Sequence, residues 1–129
     1  MDAELDELPQ PKPLRWIASS RADVHGFPRE VRREVGQALF DAQCGEKHSK
    51  AKPLKGFTGA SVLEVVESFD GDAYRVVYTV RFSRAVYVLH AFQKKSKGGS
   101  KTPPADVKRI KLRLAQAEVH YAKWLEEQT

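Results

Sequence analysis

Cysteine is almost missing: Cys44 is the only one in 129 residues. No disulfide can close within the chain, which fits a reducing cytoplasm, and no cysteine-based zinc set can assemble. The four histidines, His25, His48, His90 and His120, share no ligand spacing with one another or with Cys44, so neither a metal nor another cofactor is expected. No apolar run approaches the ~18–20 residues of a membrane span. The N-terminus is acidic and has no apolar core, which excludes a secretory signal. A glycine-rich phosphate loop ahead of Lys-Ser/Thr is absent, and so is a serine-hydrolase elbow; Lys97-Gly98-Gly99 is too sparse to stand for the former. Cys44 itself reads as a packing residue at a helix end.

Acid is also missing, but only locally. No Asp or Glu lies between Asp72 and Asp106, an interval holding Arg75, Arg81, Arg84, Lys94, Lys95, Lys97 and Lys101. The first eight residues reverse the balance with Asp2, Glu4, Asp6 and Glu7 and no base. Setting those four acids aside raises the formal charge from +5 to +9 for the remainder. A body this basic suits nucleic acid or an acidic protein partner. A sheet with so many cations and no counter-charge of its own is expected to meet a polyanion.

What is present describes one folded domain. Hydrophobic residues make up 41%, with two Trp, six Phe and four Tyr, enough for a core. Residues 1–13, ending in Pro9, Pro11 and Pro13, read as an acidic, flexible lead-in to a domain over 14–129. Leu14 to Ser19 alternates as a first strand, with Leu14, Trp16 and Ala18 on one face. Pro28 opens a helix whose Phe27, Val31, Val35, Ala38, Leu39 and Ala42 recur at helical steps, and Gly45 stops it. A basic loop over 48–59 carries Lys55 and a short edge strand at 53–57. Ser61 to Phe69, Tyr74 to Phe82 and Ala85 to Gln93 are strands, the first two joined by a turn at Asp70-Gly71-Asp72. Alternation puts Val86, Val88, His90 and Phe92 on one side of the last strand. A loop over 94–102 leads to a helix started by Pro103-Pro104, with Val107, Ile110, Leu114, Ala117, Tyr121 and Trp124 or Leu125 as its apolar stripe. The expected fold is a small α+β domain with a curved, mainly antiparallel sheet packed against helices.

For chemistry there remain arginine, lysine, one strand histidine and aromatics. That set suffices for cleavage of RNA by its own 2′-hydroxyl, where the protein supplies cations around the pentavalent phosphate and some proton transfer. Arginine grips phosphate oxygens bidentately, while lysine acts as a point charge or, with its proton loosened, as a base. His90 suits acid or base work near neutral pH. Its more ordinary reading is a hydrogen-bonded strand histidine beside the core. Phe92 offers a face for stacking on a base, though core packing is the commoner role.

These residues carry a family resemblance. The run Tyr74-Arg75-Val76-Val77-Tyr78, followed by Val86-Tyr87-Val88-Leu89-His90-Ala91-Phe92-Gln93-Lys94-Lys95-Ser96, resembles the RelE/ParE toxin superfamily, and within it the HigB-like, phage-derived branch. Pro28-Arg29-Glu30-Val31, the segment Ala51 to Phe57, Val62-Leu63-Glu64-Val65 and Thr102-Pro103 agree, so the resemblance covers about residues 14 to 118. It implies a RelE-like fold and a type II toxin that cuts mRNA in the ribosomal A site. It also implies a HigA-like antitoxin with a helix-turn-helix domain, through which alone operator DNA would be bound. The residues carried over as catalytic are Arg75, Lys94 and Lys95, with His90 beside them. Arg81, Arg84, Phe92, Gln93, Lys97, Lys101 and Lys55 are expected to hold RNA. The acidic head and the tail from His120 to Thr129 depart from compact members and would alter antitoxin docking. Two other readings stand beside this one: a ParE-like gyrase inhibitor, which has no need of the cations after His90, and a non-catalytic nucleic-acid-binding phage protein.

Overall fold

Tyr74, Arg75, Val76, Val77, Tyr78 and Thr79 are consecutive and all buried. Successive side chains of a strand point to opposite faces, so this strand must lie between two covering layers. The computed structural model describes residues 10–95 and 101–129. Its elements are β1 (Leu14–Trp16), α1 (Ser20–His25), α2 (Arg29–Gln43), β2 (Lys52–Pro53), β3 (Val62–Phe69), β4 (Asp72–Thr79), β5 (Val86–Lys95) and α3 (Pro104–Glu127). The five strands form one sheet in the order β1-β5-β4-β3-β2. β1 runs parallel to β5, and the other neighbours are antiparallel. The fold class is therefore α+β, with a mixed, mainly antiparallel sheet.

Each face has its own core. On one, Val31, Val35, Ala38, Leu39 and Ala42 of α2 pack on Leu63, Val65, Val76, Tyr78, Val86 and Val88. On the other, Ile110, Leu114, Ala117 and Tyr121 of α3 pack on Val62, Val77, Tyr87 and Leu89. Both helices bury the stripe expected from their periodicity, and each fully buried aliphatic side chain contributes roughly 1.5–3 kcal/mol. α2 stops as its sequence indicates. Gly45, at φ +82°, donates to the Ala42 carbonyl, and Glu46 donates to that of Asp41, the paired bonds of a Schellman ending.

Four local differences from the sequence expectation matter for the site. β1 ends at Trp16, and Ala18, at φ +52°, turns the chain into α1 instead of extending the strand. β4 begins at Asp72, because Asp70 and Gly71 both take positive φ, as a tight two-residue hairpin turn requires. With Asp72 and Ala73 in the ladder, their partners Lys95 and Lys94 belong to β5 and not to a loop. Finally, β5 carries a bulge. Val77 pairs with His90 but Tyr78 pairs with Val88, which leaves Leu89 as the extra residue. Val86, Val88 and Ala91 therefore face α2, whereas Leu89 enters the α3 core and His90 bonds to α3. Simple alternation could not have put His90 there.

The end of the proline-rich lead-in is tied to the domain. Lys12 N–H donates to Gln43 O at 2.8 Å, and Val86 N–H donates to Pro13 O at 3.0 Å. The expectation of a flexible head over residues 1–9 lies outside the described residues.

Candidate nucleic-acid interface

The end of β5 and the start of β4 form a corner beneath the segment that enters α3. Arg75 is in register with Phe92, and Ala73 with Lys94, so Arg75, Phe92 and Lys94 share the face that α3 covers. Arg75 is buried, and its Nη1 lies 3.2 Å from Oε1 of Glu64 on β3. The other carboxylate oxygen, Oε2, accepts from Thr102 Oγ1 at 2.8 Å. A guanidinium cannot shed its proton in a protein, so its burial demands such a partner. Lys94 is half-buried and donates from Nζ to Lys101 O at 2.9 Å, which ties the strand end to the same overlying segment.

His90 is the hinge between sheet and helix. Its Nε2 lies 2.8 Å from Asp106 Oδ1, and its Nδ1 lies 3.0 Å from Arg113 Nη1. A guanidinium only donates, so Nδ1 accepts, and the ring proton sits on Nε2, which donates to Asp106. Burial pushes the His90 pKa below its ordinary value. The hydrogen bond to Asp106 opposes that shift, and the charges of Arg113 and Arg109 reinforce it. The imidazole is neutral, and in this arrangement both its nitrogens are engaged. Arg113 also donates to Leu89 O at 3.1 Å and to Ser19 Oγ at 3.3 Å, so one side chain joins α3, the bulge and the start of α1. The Phe92 ring stacks on His90 with centroids 4.8 Å apart and planes at 20°.

The other expected RNA contacts are scattered. Arg81 pairs with Glu118 of α3 at 2.7 Å. Arg84 lies over the Trp124 ring at 4.8 Å, with Arg15 at 4.5 Å from the same ring. Both arginines precede β5 and lie toward its far end from Lys94. Lys55 is exposed in the turn after β2, at the opposite edge of the sheet. Gln93 is exposed and donates to Asp72 Oδ2 at 2.8 Å, and Lys101 is exposed. The side chain of Lys95 and the whole of Lys97 lie outside the described residues.

The expectation of a sheet without counter-charge needs correction. The interval lacks acid along the chain, but folding brings Glu64 from β3 and Asp106 and Glu118 from α3 onto it. Sequence reasoning missed Glu64, Thr102, Asp106 and Arg113 as parts of this site. Their local sequence carries no sign of the pairing. Among the described residues no cluster of three or more His, Cys, Asp or Glu is arranged to hold a metal ion. No helix there is long and apolar enough to cross a membrane.

A family model described as "Phage derived protein Gp49-like" matches residues 22–115. The chain belongs to this Gp49-like family. Among curated proteins none matches it. Of solved structures, the toxin–antitoxin complex RelBE2 of Mycobacterium tuberculosis is similar over 66% of this chain and 100% of that one, at 21% identity and a TM-score of 0.45. A mutant of the E. coli toxin RelE in the free state is similar over 64% of this chain and 82% of that one, at 15% identity and a TM-score of 0.48. At those scores neither likeness bears on function. The Gp49-like match runs from α1 into α3, so it includes Arg75, His90, Lys94 and Arg113 but not Trp124.

Proposed function

We propose that this Gp49-like protein is the toxin of a type II toxin–antitoxin pair, a HigB-like endoribonuclease that cuts mRNA on the ribosome without a metal. The observation that carries the reading is the corner itself. The two strands of the toxin-like motif, Tyr74 to Tyr78 and Val86 to Lys95, pair so that Arg75, Phe92 and Lys94 fall on one face. The basic body and the phage-derived family support it.

In this reading the RNA 2′-hydroxyl attacks the adjacent phosphorus and the 5′-oxygen leaves, giving a 2′,3′-cyclic phosphate. Arg75, Lys94 and Lys95 stabilise the charge of the phosphorane. Arg75 reaches phosphate by exchanging Glu64 for it, since carboxylate and phosphate offer a guanidinium the same two-oxygen fork. His90 becomes a base when Arg113 releases Nδ1, and its lowered pKa keeps that nitrogen unprotonated. Phe92, Gln93, Lys97 and Lys101 hold RNA near the corner, and Arg81, Arg84 and Lys55 hold flanking segments. A HigA-like helix-turn-helix antitoxin masks the toxin in the cytoplasm and alone contacts operator DNA.

Inducing the protein without an antitoxin tests the reading. Growth should stop with translation, and mRNA should be cut only where ribosomes translate it. The ends should be 2′,3′-cyclic phosphates, and cutting should survive chelation as far as ribosome integrity allows. Intact mRNA with blocked DNA supercoiling would replace the nuclease by a gyrase inhibitor. Ends bearing 3′-hydroxyls would overturn the metal-free mechanism.

A further inference from the structure

β5 is ten residues long, but β1 pairs with only Val86, Tyr87 and Val88 of it. Beyond Val88, no described strand covers that edge. An open cleft of about 420 Å³ lies there, and its lining includes Asp23, Phe27, His90, Phe92, Gln93 and Arg109. Three features give it a chemistry. Phe92 presents a ring fixed by its stack on His90, which Asp106 and Arg113 hold in turn. Asp23, on α1, uses one carboxylate oxygen to accept from Ser19 Oγ at 2.8 Å. A carboxylate has about four acceptor sites, so Asp23 keeps capacity for further donors. Arg109 is exposed, and among the described residues it has neither an ion-pair nor a hydrogen-bond partner.

We infer that this cleft takes one unstacked nucleobase of a single-stranded nucleic acid, stacked on Phe92 with its N–H edge toward Asp23 and its phosphate on Arg109. The charges sort the ligand: Asp23 repels phosphate and accepts from amino or imino groups, and Arg109 does the reverse. An aromatic platform beside a cation is what single strands require, because every base has a face to stack. Peptide addition along the open strand edge fits less well, since α1 packs against β5 and its Asp23 walls the cleft. The inference rests on the proposed RNA-directed function and adds to it a base pocket and two residues, Asp23 and Arg109, outside the cation cluster.

Anisotropy of short labelled 2′-deoxy oligonucleotides, which cannot be cut by 2′-hydroxyl attack, tests the pocket apart from the reaction. A strand abasic at every position should bind about ten-fold more weakly than the intact strand of the same length, and Phe92→Leu should remove that difference. Arg109→Ala should weaken all sequences alike and flatten the salt dependence. Asp23→Asn should change the ranking of oligonucleotides that differ in one base. If Asp23→Asn merely tightens every sequence by the same factor, or if the abasic strand binds as well as the intact one, the pocket is overturned. The abasic comparison uses wild-type protein, so a folding defect in a variant cannot obscure it. Base-sensitive binding without ribosomal cleavage would remove the nuclease and leave the pocket. Cleavage without base sensitivity would do the opposite, and loss of all oligonucleotide binding would remove the pocket. Protection of the Ala91–Gln93 amides by an acidic peptide and not by oligonucleotide would reassign the cleft to protein.

Discussion

Glu64 and Arg75 meet from adjacent strands at 3.2 Å, with only 12% and 4% of their side chains exposed. Little of either side chain reaches water. Arg75→Ala and Glu64→Ala are each expected to destabilise by less than the about 3–5 kcal/mol of a fully stranded buried charge, because Glu64 keeps its bond from Thr102 and Arg75 keeps other contacts. Removing both should cost less than the sum of the two. Urea denaturation of the wild type, both single variants and the double variant closes the cycle. Additive losses would mean that the two do not act as a pair. Loss of toxicity in Arg75→Ala therefore has to be measured on protein shown to be folded. Arg75→Lys keeps the charge but not the fork, and it should be the less destabilised of the two substitutions at this position.

Lys94 and the outlying lysines should separate by kinetics. Lys94 stands on the same face as Arg75, whereas Lys101 and Lys55 are exposed. Lys94→Ala is expected to slow saturated single-turnover cleavage on programmed ribosomes by about 10²–10³-fold, the usual cost of losing one charge-stabilising group. Lys95→Ala belongs to the same test. Lys101→Ala and Lys55→Ala should instead weaken binding modestly and lessen its salt dependence. A near wild-type saturated rate for both Lys94→Ala and Lys95→Ala would confine these residues to binding.

The neutral His90 makes stability depend on pH. An unfolded histidine titrates near 6.5, and in the fold the value lies lower. Below about pH 6.5 the unfolded chain takes up a proton that the folded one refuses. The contribution is therefore complete above that pH and is lost as pH falls toward the folded pKa, by at most about 1.4 kcal/mol per unit. Urea midpoints at pH 7.5 and 5.5 should fall further for the wild type than for His90→Gln. Equal drops would show that folding leaves the His90 pKa unshifted.

The ion pair between Arg81 and Glu118 is half exposed, and its length of 2.7 Å should not be taken for strength. Such surface pairs are worth about 0.2–1 kcal/mol. Glu118→Ala should leave thermal stability within about 1 kcal/mol while freeing Arg81 to meet a polyanion. Binding of single-stranded oligonucleotides at low salt should tighten, and the gain should vanish in the Glu118→Ala, Arg81→Ala pair. If the gain persists without Arg81, it comes from net charge alone.

Much of the frame was legible along the chain. The stripes of α2 and α3 and the stop at Gly45 depend on neighbours within a few positions, and so does the turn at Asp70-Gly71. Periodicity and backbone freedom are local properties, and here local preference agrees with the fold. The cations after Arg75 and the motif around His90 were equally plain. Three decisions belonged to tertiary structure alone. Which acids answer the basic stretch was set by strand register and helix docking, which join Glu64 to Arg75, Asp106 to His90 and Glu118 to Arg81. Which way His90 faces was set by one extra residue in β5, invisible to alternation because a bulge is defined only against its partner strand. Whether a basic residue is a free cation or a buried, partnered one was set by packing, since charge is carried in the sequence and its solvation is not.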